Sequence, residues 1–284
     1  MSLQSPVVVS ALHSQAAHAY LTESLASPQN IAPMPRVCAQ LAELTAQQAT
    51  DAAQLARLIQ SDPALAGEIM RVANSPVLRP RAPIVSLQQA VSWLGVAEVR
   101  NIAMAVMLRG EIFTAPGHEP ESEELWREAW LAGLWAKEIA RERRKHVESA
   151  FLAALMHRTG AALALKILSG FESQQRTVMD AKTFADLVVE FEPRFGRLLM
   201  SSWRLPDDVQ DAASDWRDYG KSSHTDLAGT VHAAHLLATH TMYPQLLDEE
   251  LVLESPVFEQ LGVFPDDRRS MLAKREQVRS LAGI

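Results

Sequence analysis

Apolar residues recur along the chain at the three- and four-residue spacing of amphipathic helices, and between residues 35 and 110 no stretch alternates polar and apolar positions as a half-buried strand does. Glycine is sparse, with 12 residues in 284, while alanine and leucine are abundant and aromatic residues make up only 6%. This balance favours helix over sheet. The pattern predicts an all-α protein made of two helical lobes.

Capping residues mark the helices of the first lobe. Asp62 suits an N-cap with Pro63 at the first helical position, and Asn74 stops that helix. Ser86 and Gln89 have the spacing of a capping box, and Gly95 suits the C-terminal cap of the helix they begin. The five helices predicted here are Pro35 to about Leu44, one capped by Thr50 or Asp51 that carries Leu55, Leu58 and Ile59, Pro63 to Ala73, residues 86–95, and Ala97–Arg109.

A polar, breaker-rich segment, TAPGHEPESEE (114–124), predicts a linker or long surface loop before the second lobe. The helices predicted beyond it are Leu125–Arg141, Ser149–His157, Ala161–Leu168, Thr183–Glu192, Phe195–Trp203, Asp207–Trp216 and His224–Thr241. Residues 1–30 are predicted to form an N-terminal extension with a helix over Ser14–Ala26. The main domain spans 31–241, with lobe one at 31–113 and lobe two at 125–241, and residues 242–284 form an extension with one helix after Pro265.

Charge and composition exclude several classes of function. The net charge is −7 and the pI about 5.7, so no overall field attracts nucleic acid or anionic lipid. The basic run RERRKH (141–146) is expected at a helix end, and the single cysteine, Cys38, in a packing role. The first residues lack the pattern of a signal peptide, and no uninterrupted apolar run approaches the roughly 18 residues that span a bilayer. We therefore expect a cytoplasmic protein with neither nucleic-acid nor membrane partners.

The order of motifs resembles the HDOD family, a non-catalytic relative of the HD and HD-GYP metal-dependent phosphohydrolases. The resemblance is carried by LARLIQSDPALAGEIMRVANSP, IVSLQQAVSWLGVAEVRNIAM, ESEELWREAWLAGLWAKEIA, AFLAALMHRTGAAL and LLMSSWRLPDDVQDA, within roughly residues 31–216. It implies a bundle of helices in two lobes and a signalling role in bacteria. Most of the shared positions, such as Asp62-Pro63 and Trp203 to Pro206, are best explained as determinants of the fold.

The segment LMHRTG (155–160) corresponds to the place where hydrolytic members of the superfamily carry adjacent His and Asp ligands. Here His157 is followed by Arg158. A guanidinium is permanently cationic and has no acceptor lone pair, so it cannot bind a metal and would repel one. Other positions where the resemblance implies ligands read WREAW (126–130), FEPRFG (191–196) and SDWRDY (214–219), and the late Asp position is His235. We therefore expect no metal, no cofactor and no catalytic residues.

The residual pocket at these positions is predicted to contain His157, Arg158, Glu128, Glu192 and Arg194. Arg158 and Arg194 could hold a phosphate or carboxylate with paired hydrogen bonds, but a structural salt bridge to Glu128 or Glu192 is the favoured interpretation. His224, His232, His235 and His240 lie in one helical stretch and could form a new Zn or Ni site with His157. Because no carboxylate or cysteine shares their face, hydrogen-bonded or solvent-facing histidines are favoured instead.

The sequence thus predicts a non-catalytic regulatory or scaffold module that binds a signalling partner or a small ligand between its lobes. The loop Pro76–Pro83, with Arg79 and Arg81, is a candidate contact edge for a protein. Two alternatives are a sensor that binds a nucleotide or cyclic dinucleotide without turnover, and a divergent metal-dependent phosphohydrolase. No P-loop, GxGxxG, GxSxG or HExxH motif points to another chemistry. The partner and the oligomeric state are not specified by the sequence.

Overall fold

The computed structural model of the chain describes residues 11–27, 33–34, 52–78, 80 and 82–283. Every regular element in these residues is a helix, which confirms the all-α prediction. Several features predicted from sequence lie outside the described residues: the helix Pro35–Leu44, Cys38, the caps Thr50 and Asp51, and the loop residues Arg79 and Arg81.

A helix α1 (Ala11–Ala26) precedes the first lobe, in which the described helices are α2 (Ala52–Gln60), α3 (Pro63–Ala73), α4 (Leu87–Leu94) and α5 (Val96–Glu111). The predicted caps are present. Asp62 accepts hydrogen bonds from the backbone N–H groups of Ala64 and Leu65, both at 3.0 Å, and Gly95 adopts a φ of 83° after α4. The apolar faces of the four helices close on a small core of their own, which includes Leu55, Ile59, Leu65, Ile69, Val91 and Ile102.

The capping box of α4 differs from the prediction by one residue. Ser86 accepts from the N–H of Gln89 at 3.2 Å, as expected. The Gln89 side chain, however, accepts from the N–H of Val85 at 3.1 Å rather than from that of Ser86. The proline-rich loop before this helix is fixed by Asn74, whose amide group exchanges two hydrogen bonds with the backbone of Ile84.

The second lobe contains α6 (Glu119–Glu142), α7 (Val147–Met156), α8 (Thr159–Gln175), α9 (Ala181–Ser202), α10 (Asp207–Ser214), a 3-10 segment (Trp216–Lys221) and α11 (Thr225–Met242). Helix α6 packs against α7 and α11, α8 packs against α9, and α1 lies across α8 and α9. The large core between them includes the fully buried rings of Trp135, Phe151, Phe191 and Phe195.

Residues 114–124 were predicted to form a linker, with the next helix beginning at Leu125. This prediction is wrong for residues 119–124, which are helical. Helix α6 begins at Glu119, with Pro120 and two acidic residues, Glu119 and Glu121, in its first turn. Proline is tolerated there because its missing N–H would have no helical partner, and acids complement the helix dipole. Polar and breaker residues therefore begin a helix here instead of ending one.

The two helices predicted on either side of Pro193 are one helix, α9. Proline removes one helical hydrogen bond, that to the carbonyl of Val189. The Val189 side chain is 53% exposed, so this turn borders solvent. On the opposite face Phe191, Phe195 and Leu199 are all buried, and their packing carries the helix through the break.

The ends of two other helices and the number of helices in the C-terminal extension also differ from the predictions. Helix α8 continues past Leu168 to Gln175, and α10 ends at Ser214, where the chain tightens into the 3-10 segment. The C-terminal extension contains four helices rather than one: α12 (Glu249–Leu253), α13 (Pro256–Gln260), α14 (Pro265–Leu272) and α15 (Arg275–Ala282). The short ones were missed because five residues are too few to show a helical period.

The lobes are joined through α5 and a short connector. The buried residues Val99, Ile102 and Ala103 of α5 belong to the small core, and Ala105 and Leu108 belong to the large one. The connector is bound to α8, because Ser169 donates to the carbonyl of Pro116 at 2.5 Å and His118 contacts Glu172 at 2.8 Å. Helix α15 lies against α6, where Lys274 pairs with Glu138.

Candidate functional site

His157 and Arg158 occupy the junction between α7, which ends at Met156, and α8, which begins at Thr159. The next residue but one, Gly160, lets α9 approach closely. A Cβ atom on Gly160 would lie 1.9 Å from the carbonyl oxygen of Glu192 and 2.7 Å from the nitrogen of Gly196. Only glycine fits at this contact, which brings Glu192 close to His157 and Arg158.

Arg158 lies between two carboxylates. Its Nε donates to Glu128 Oε2 at 2.8 Å, and its Nη1 donates to Glu192 Oε1 at 2.5 Å. The second oxygen of Glu192 accepts from Arg217, so two guanidinium groups share this buried carboxylate. The favoured prediction for Arg158, a structural salt bridge to Glu128 or Glu192, is confirmed, and both pairs form at once. We call Arg158, Glu128, Glu192 and Arg217 the ion cluster.

The electrostatics of the ion cluster reflect its burial. Burial raises the pKa of Glu128 above its ordinary value, and the neighbouring Arg158 opposes this only in part. For Arg158 itself, burial lowers the pKa, but the adjacent carboxylates of Glu192 and Glu128 more than compensate and the pKa is raised. Arg158 is therefore permanently charged. With two guanidinium and two carboxylate groups, the cluster is neutral when its acids are ionised.

His157 is buried and is hydrogen-bonded to His235. Its Nδ1 lies 2.5 Å from the carbonyl oxygen of Ala154, to which it donates, so in the neutral ring Nε2 is an acceptor. Nε2 lies 3.2 Å from Nδ1 of His235, which must then carry the proton of that contact. Burial, together with His235 and Arg158, holds the pKa of His157 well below its ordinary value. Burial, followed by Arg158 and Arg217, lowers the pKa of His235 to about 3.

Trp216 packs the histidine pair against the ion cluster. Its ring is 5.1 Å from that of His157 and 4.2 Å from that of His235, and the Arg217 guanidinium lies 4.2 Å over it. The segment SDWRDY was predicted only to lack metal ligands. Trp216 and Arg217 come from this segment, so the signal was a replacement by other side chains rather than a loss.

The structure brings together His157, Arg158, Glu128 and Glu192, but not Arg194. Arg194 is exposed, with its guanidinium 5.0 Å over the ring of Phe191. It lies two positions after Glu192, about 200° around the helix, and so faces away from the cluster.

The other histidines of the α11 stretch are hydrogen-bonded at separate points, in line with the favoured interpretation. His224 contacts Asp211 at 3.2 Å, His232 contacts the carbonyl of Trp216 at 3.1 Å, and His240 contacts the carbonyl of Leu247 at 2.8 Å. Only His235 reaches His157.

The residues at this site do not fit a divalent metal. A hydrolytic centre needs several convergent ligands and an open position for water. Here Nδ1 of His157 is engaged by a backbone carbonyl, its Nε2 by His235, and both carboxylates by guanidinium groups. Within the described parts of the chain, no three His, Cys, Asp or Glu side chains converge in a way that could hold a metal ion.

The chain is an all-α bundle of two lobes in which His157 lies at the junction between α7 and α8. The chain belongs to the HDOD family: the HDOD domain pattern matches residues 31–218. The comparison with curated protein sequences finds no match.

Solved structures share this fold across nearly the whole chain. A presumed metal-dependent phosphohydrolase from Shewanella amazonensis SB2B superposes with a TM-score of 0.70 at 20% identity, covering 95% of this chain and 99% of the other. An HDOD domain protein of unknown function from Geobacter sulfurreducens gives 0.68 at 16% identity, covering 94% and 98%. A presumed signal transduction protein from Marinobacter aquaeolei VT8 gives 0.64 at 19% identity, covering 95% and 66%. At these identities the likeness establishes the fold.

The stretch Val147–Gln175, which comprises α7, its junction and α8, is the one single span in the described residues that is long and apolar enough to cross a membrane, and 78% of its apolar window is buried inside the protein. The bent pair Leu87–Leu94 and Val96–Glu111 passes the same test when taken as one unit. Burial of this kind is also found in the core helices of soluble proteins.

Proposed function

We propose that this protein is a non-catalytic regulatory module of bacterial signalling, which acts by binding and does not hydrolyse phosphate esters. One observation carries the proposal: the guanidinium of Arg158 lies between the carboxylates of Glu128 and Glu192, beside a histidine whose ring nitrogens are both engaged. An internal cation thus neutralises the acids in the region where a hydrolytic relative would use a metal ion.

The chemistry of hydrolysis supports this interpretation. A bound divalent metal generates a nucleophile by lowering the pKa of a water molecule, and it neutralises charge in the transition state. A guanidinium has no Lewis-acid site and cannot coordinate water. Both ring nitrogens of His157 are hydrogen-bonded, so this histidine has no free acceptor at the junction for activating water. The pKa of His235, lowered to about 3 by burial and then by Arg158 and Arg217, makes its imidazole a weak general base.

A regulatory role is further supported by family membership and by the Marinobacter aquaeolei relative, which is described as a signal transduction protein. Binding partners would contact a surface in which the ion cluster holds α6, α8 and α9 in a fixed arrangement. The cluster then stabilises the helix packing that positions the binding surface. The ligand or partner binds elsewhere on the protein.

Elemental analysis of the purified protein, combined with phosphodiesterase assays on bis-p-nitrophenyl phosphate and cyclic dinucleotides, tests the proposal. We expect no stoichiometric iron, manganese or zinc, no hydrolysis, and a melting temperature unchanged by EDTA. The variant Arg158→Asp, which restores an acid next to His157, is the matched comparison for metal uptake. Stoichiometric metal in the wild-type protein together with turnover would replace this proposal by a divergent phosphohydrolase.

Calorimetry with the same nucleotides identifies the remaining alternative. A nucleotide that binds without turnover, and loses affinity in Arg158→Ala, would define a sensor at the ion cluster. If no nucleotide binds, capture of partners from the native bacterium with the wild-type protein, followed by mass spectrometry, identifies the signalling pathway.

A further inference from the structure

A cleft of about 460 Å³ lies between α3 and α5 of the first lobe and the start of α6 in the second. Small-molecule sites in proteins are mostly apolar cavities of about 300–1,000 Å³ with a few polar groups. This cleft has that size and that composition, and its walls come from both lobes.

Its lining is aromatic and rigid. Trp126 and Trp130 are one helical turn apart on α6, with ring centroids 5.9 Å apart and planes inclined by 9°. Phe113, from the connector, meets Trp126 edge to face at 5.6 Å. On the other wall, Ile102 and Val106 of α5 line the cleft. Because the tryptophans are only 7% exposed and belong to the core, the lining keeps its shape without a ligand.

The rim of the cleft carries an exchangeable cation. Arg109 is 57% exposed and uses one terminal nitrogen to contact both oxygens of Glu123, at 3.2 and 3.0 Å. Glu123 also accepts from Nε of Arg127 at 3.2 Å. If Arg109 turns to a ligand, Arg127 still neutralises Glu123, and the five N–H donors of Arg109 become available for an anion.

The charges around the cleft favour a ligand with a negative charge. The acid on the facing wall, Glu68, is already neutralised by two hydrogen bonds from Arg71, at 2.9 and 2.6 Å. The group of Arg109, Arg127 and Glu123 leaves one positive charge. An apolar body with a single negative group therefore matches both the lining and the rim.

We propose that the cleft binds a small aromatic carboxylate, with its ring system between α5 and α6 and its carboxylate on Arg109. The inference rests on the proposed function, since it gives the binding module a ligand class. Because the bound molecule would contact both lobes at once, its binding would favour the lobe arrangement in which the cleft is closest to the ligand's size.

Calorimetric titration of the full chain with 2-naphthoate tests the assignment, with the uncharged 2-naphthamide as the comparison ligand. We expect saturable binding of the acid and at least tenfold weaker binding of the amide, since a charge-assisted hydrogen bond contributes about 1.5–3 kcal/mol and 1.4 kcal/mol is tenfold in affinity. Arg109→Gln should weaken the acid to the level of the amide. Fluorine NMR of 5-fluorotryptophan-labelled protein should show shifts at Trp126 and Trp130.

The chain offers a matched pair of glycines for a steric control. Gly110 lines the cleft and Gly170 lies on α8, and a Cβ at either position would meet no atom within 4 Å. Gly110→Leu should fill the cleft and abolish binding of both ligands, while Gly170→Leu should leave binding unchanged. Circular dichroism checks that both variants fold. If Gly110→Leu does not fold, Arg109→Gln tests the assignment independently.

Absence of saturable binding up to about 1 mM, the weak end of specific affinities, would overturn the assignment. Equal affinity for acid and amide, or binding that persists in folded Gly110→Leu, would overturn it as well. None of these outcomes bears on metal content or hydrolysis, so failure of this inference is distinguishable from failure of the proposed function.

Discussion

The ion cluster and the inter-lobe cleft differ in how completely their arginine side chains are paired and how far they are exposed to solvent. In the cluster, Arg158 is bound on two sides by buried carboxylates and has little contact with solvent. At the cleft, Arg109 is mostly exposed, and the acid it contacts has a second basic partner. The first arrangement is satisfied internally and stabilises a helix junction, whereas the second leaves donors available. The junction that holds Arg158 is therefore less accessible to solvent than the rim of the cleft at Arg109.

The largest effect is expected at the helix contact that builds the cluster. In Gly160→Ala the new methyl group would overlap the backbone of α9 at Glu192, and backbone cannot move aside as a flexible side chain can. We expect a loss of more than about 4 kcal/mol in the free energy of unfolding, or failure to fold. Urea denaturation measures it, with Gly170→Ala as the control. Comparable stability of the two variants would show that α8 and α9 are further apart than described.

Removal of the internal cation comes next. Arg158→Ala leaves the partly buried Glu128 without its partner. Breaking a fully buried pair costs about 3–5 kcal/mol, so we expect a loss near the lower end, about 3 kcal/mol. Replacing both members, in Arg158→Met with Glu128→Gln, should recover much of that loss, because Glu192 keeps Arg217. Denaturant unfolding of the wild type, Arg158→Met, Glu128→Gln and the double variant gives the coupling energy. Additive losses would mean that Arg158 and Glu128 do not interact.

The histidine pair predicts a pH dependence of about 1.4 kcal/mol per pH unit for each histidine, which per unit is smaller than either of these losses. The folded-state pKa of His235 is about 3 and that of His157 is also depressed, while both unfolded values are near the ordinary 6.5. The unfolded chain therefore binds more protons than the folded one between these values. The resulting stability is fully present above about pH 6.5 and is lost as the pH falls toward 3.

His235→Gln tests this dependence directly. Removing one such histidine should reduce the slope of unfolding free energy against pH, between about pH 4 and 6, by about 1.4 kcal/mol per unit. Unfolding measured at several pH values in both proteins supplies the slopes. An unchanged slope would indicate that His235 is protonated normally in the folded state.

The smallest effect is expected for the outer cation of the cluster. Arg217 is 40% exposed, and Glu192 retains Arg158 when it is removed. Arg217→Ala should therefore destabilise the protein by about 1 kcal/mol, near the upper end for an exposed ion pair. The matched surface control is Lys182→Ala, where we expect no measurable change. A loss as large as that of Arg158→Ala would show that the two guanidinium groups contribute equally to the free energy of unfolding.

Much of the fold could be predicted from local chemistry. The caps at Asp62 and Gly95 and the apolar periods of the helices depend on neighbours a few residues away, so their signals are contained in short stretches. The pairing of Arg158 with Glu128 or Glu192 was also predicted, because a cation beside former ligand positions needs an acid. The predictions failed at the start of α6 and at Pro193, where the same residue types that end helices are accommodated in one.

The sequence by itself determined the helical class, the family pattern and the cation Arg158 directly after His157, since each depends on residue identity at close spacing. Only the tertiary structure decided that Arg217 completes the cluster, that His235 meets His157 across 78 positions, and that Arg194 faces away. The cleft beside Trp126 also exists only after the lobes have packed. Contacts between distant segments depend on the angles and distances at which helices cross, and these are set by the whole core at once.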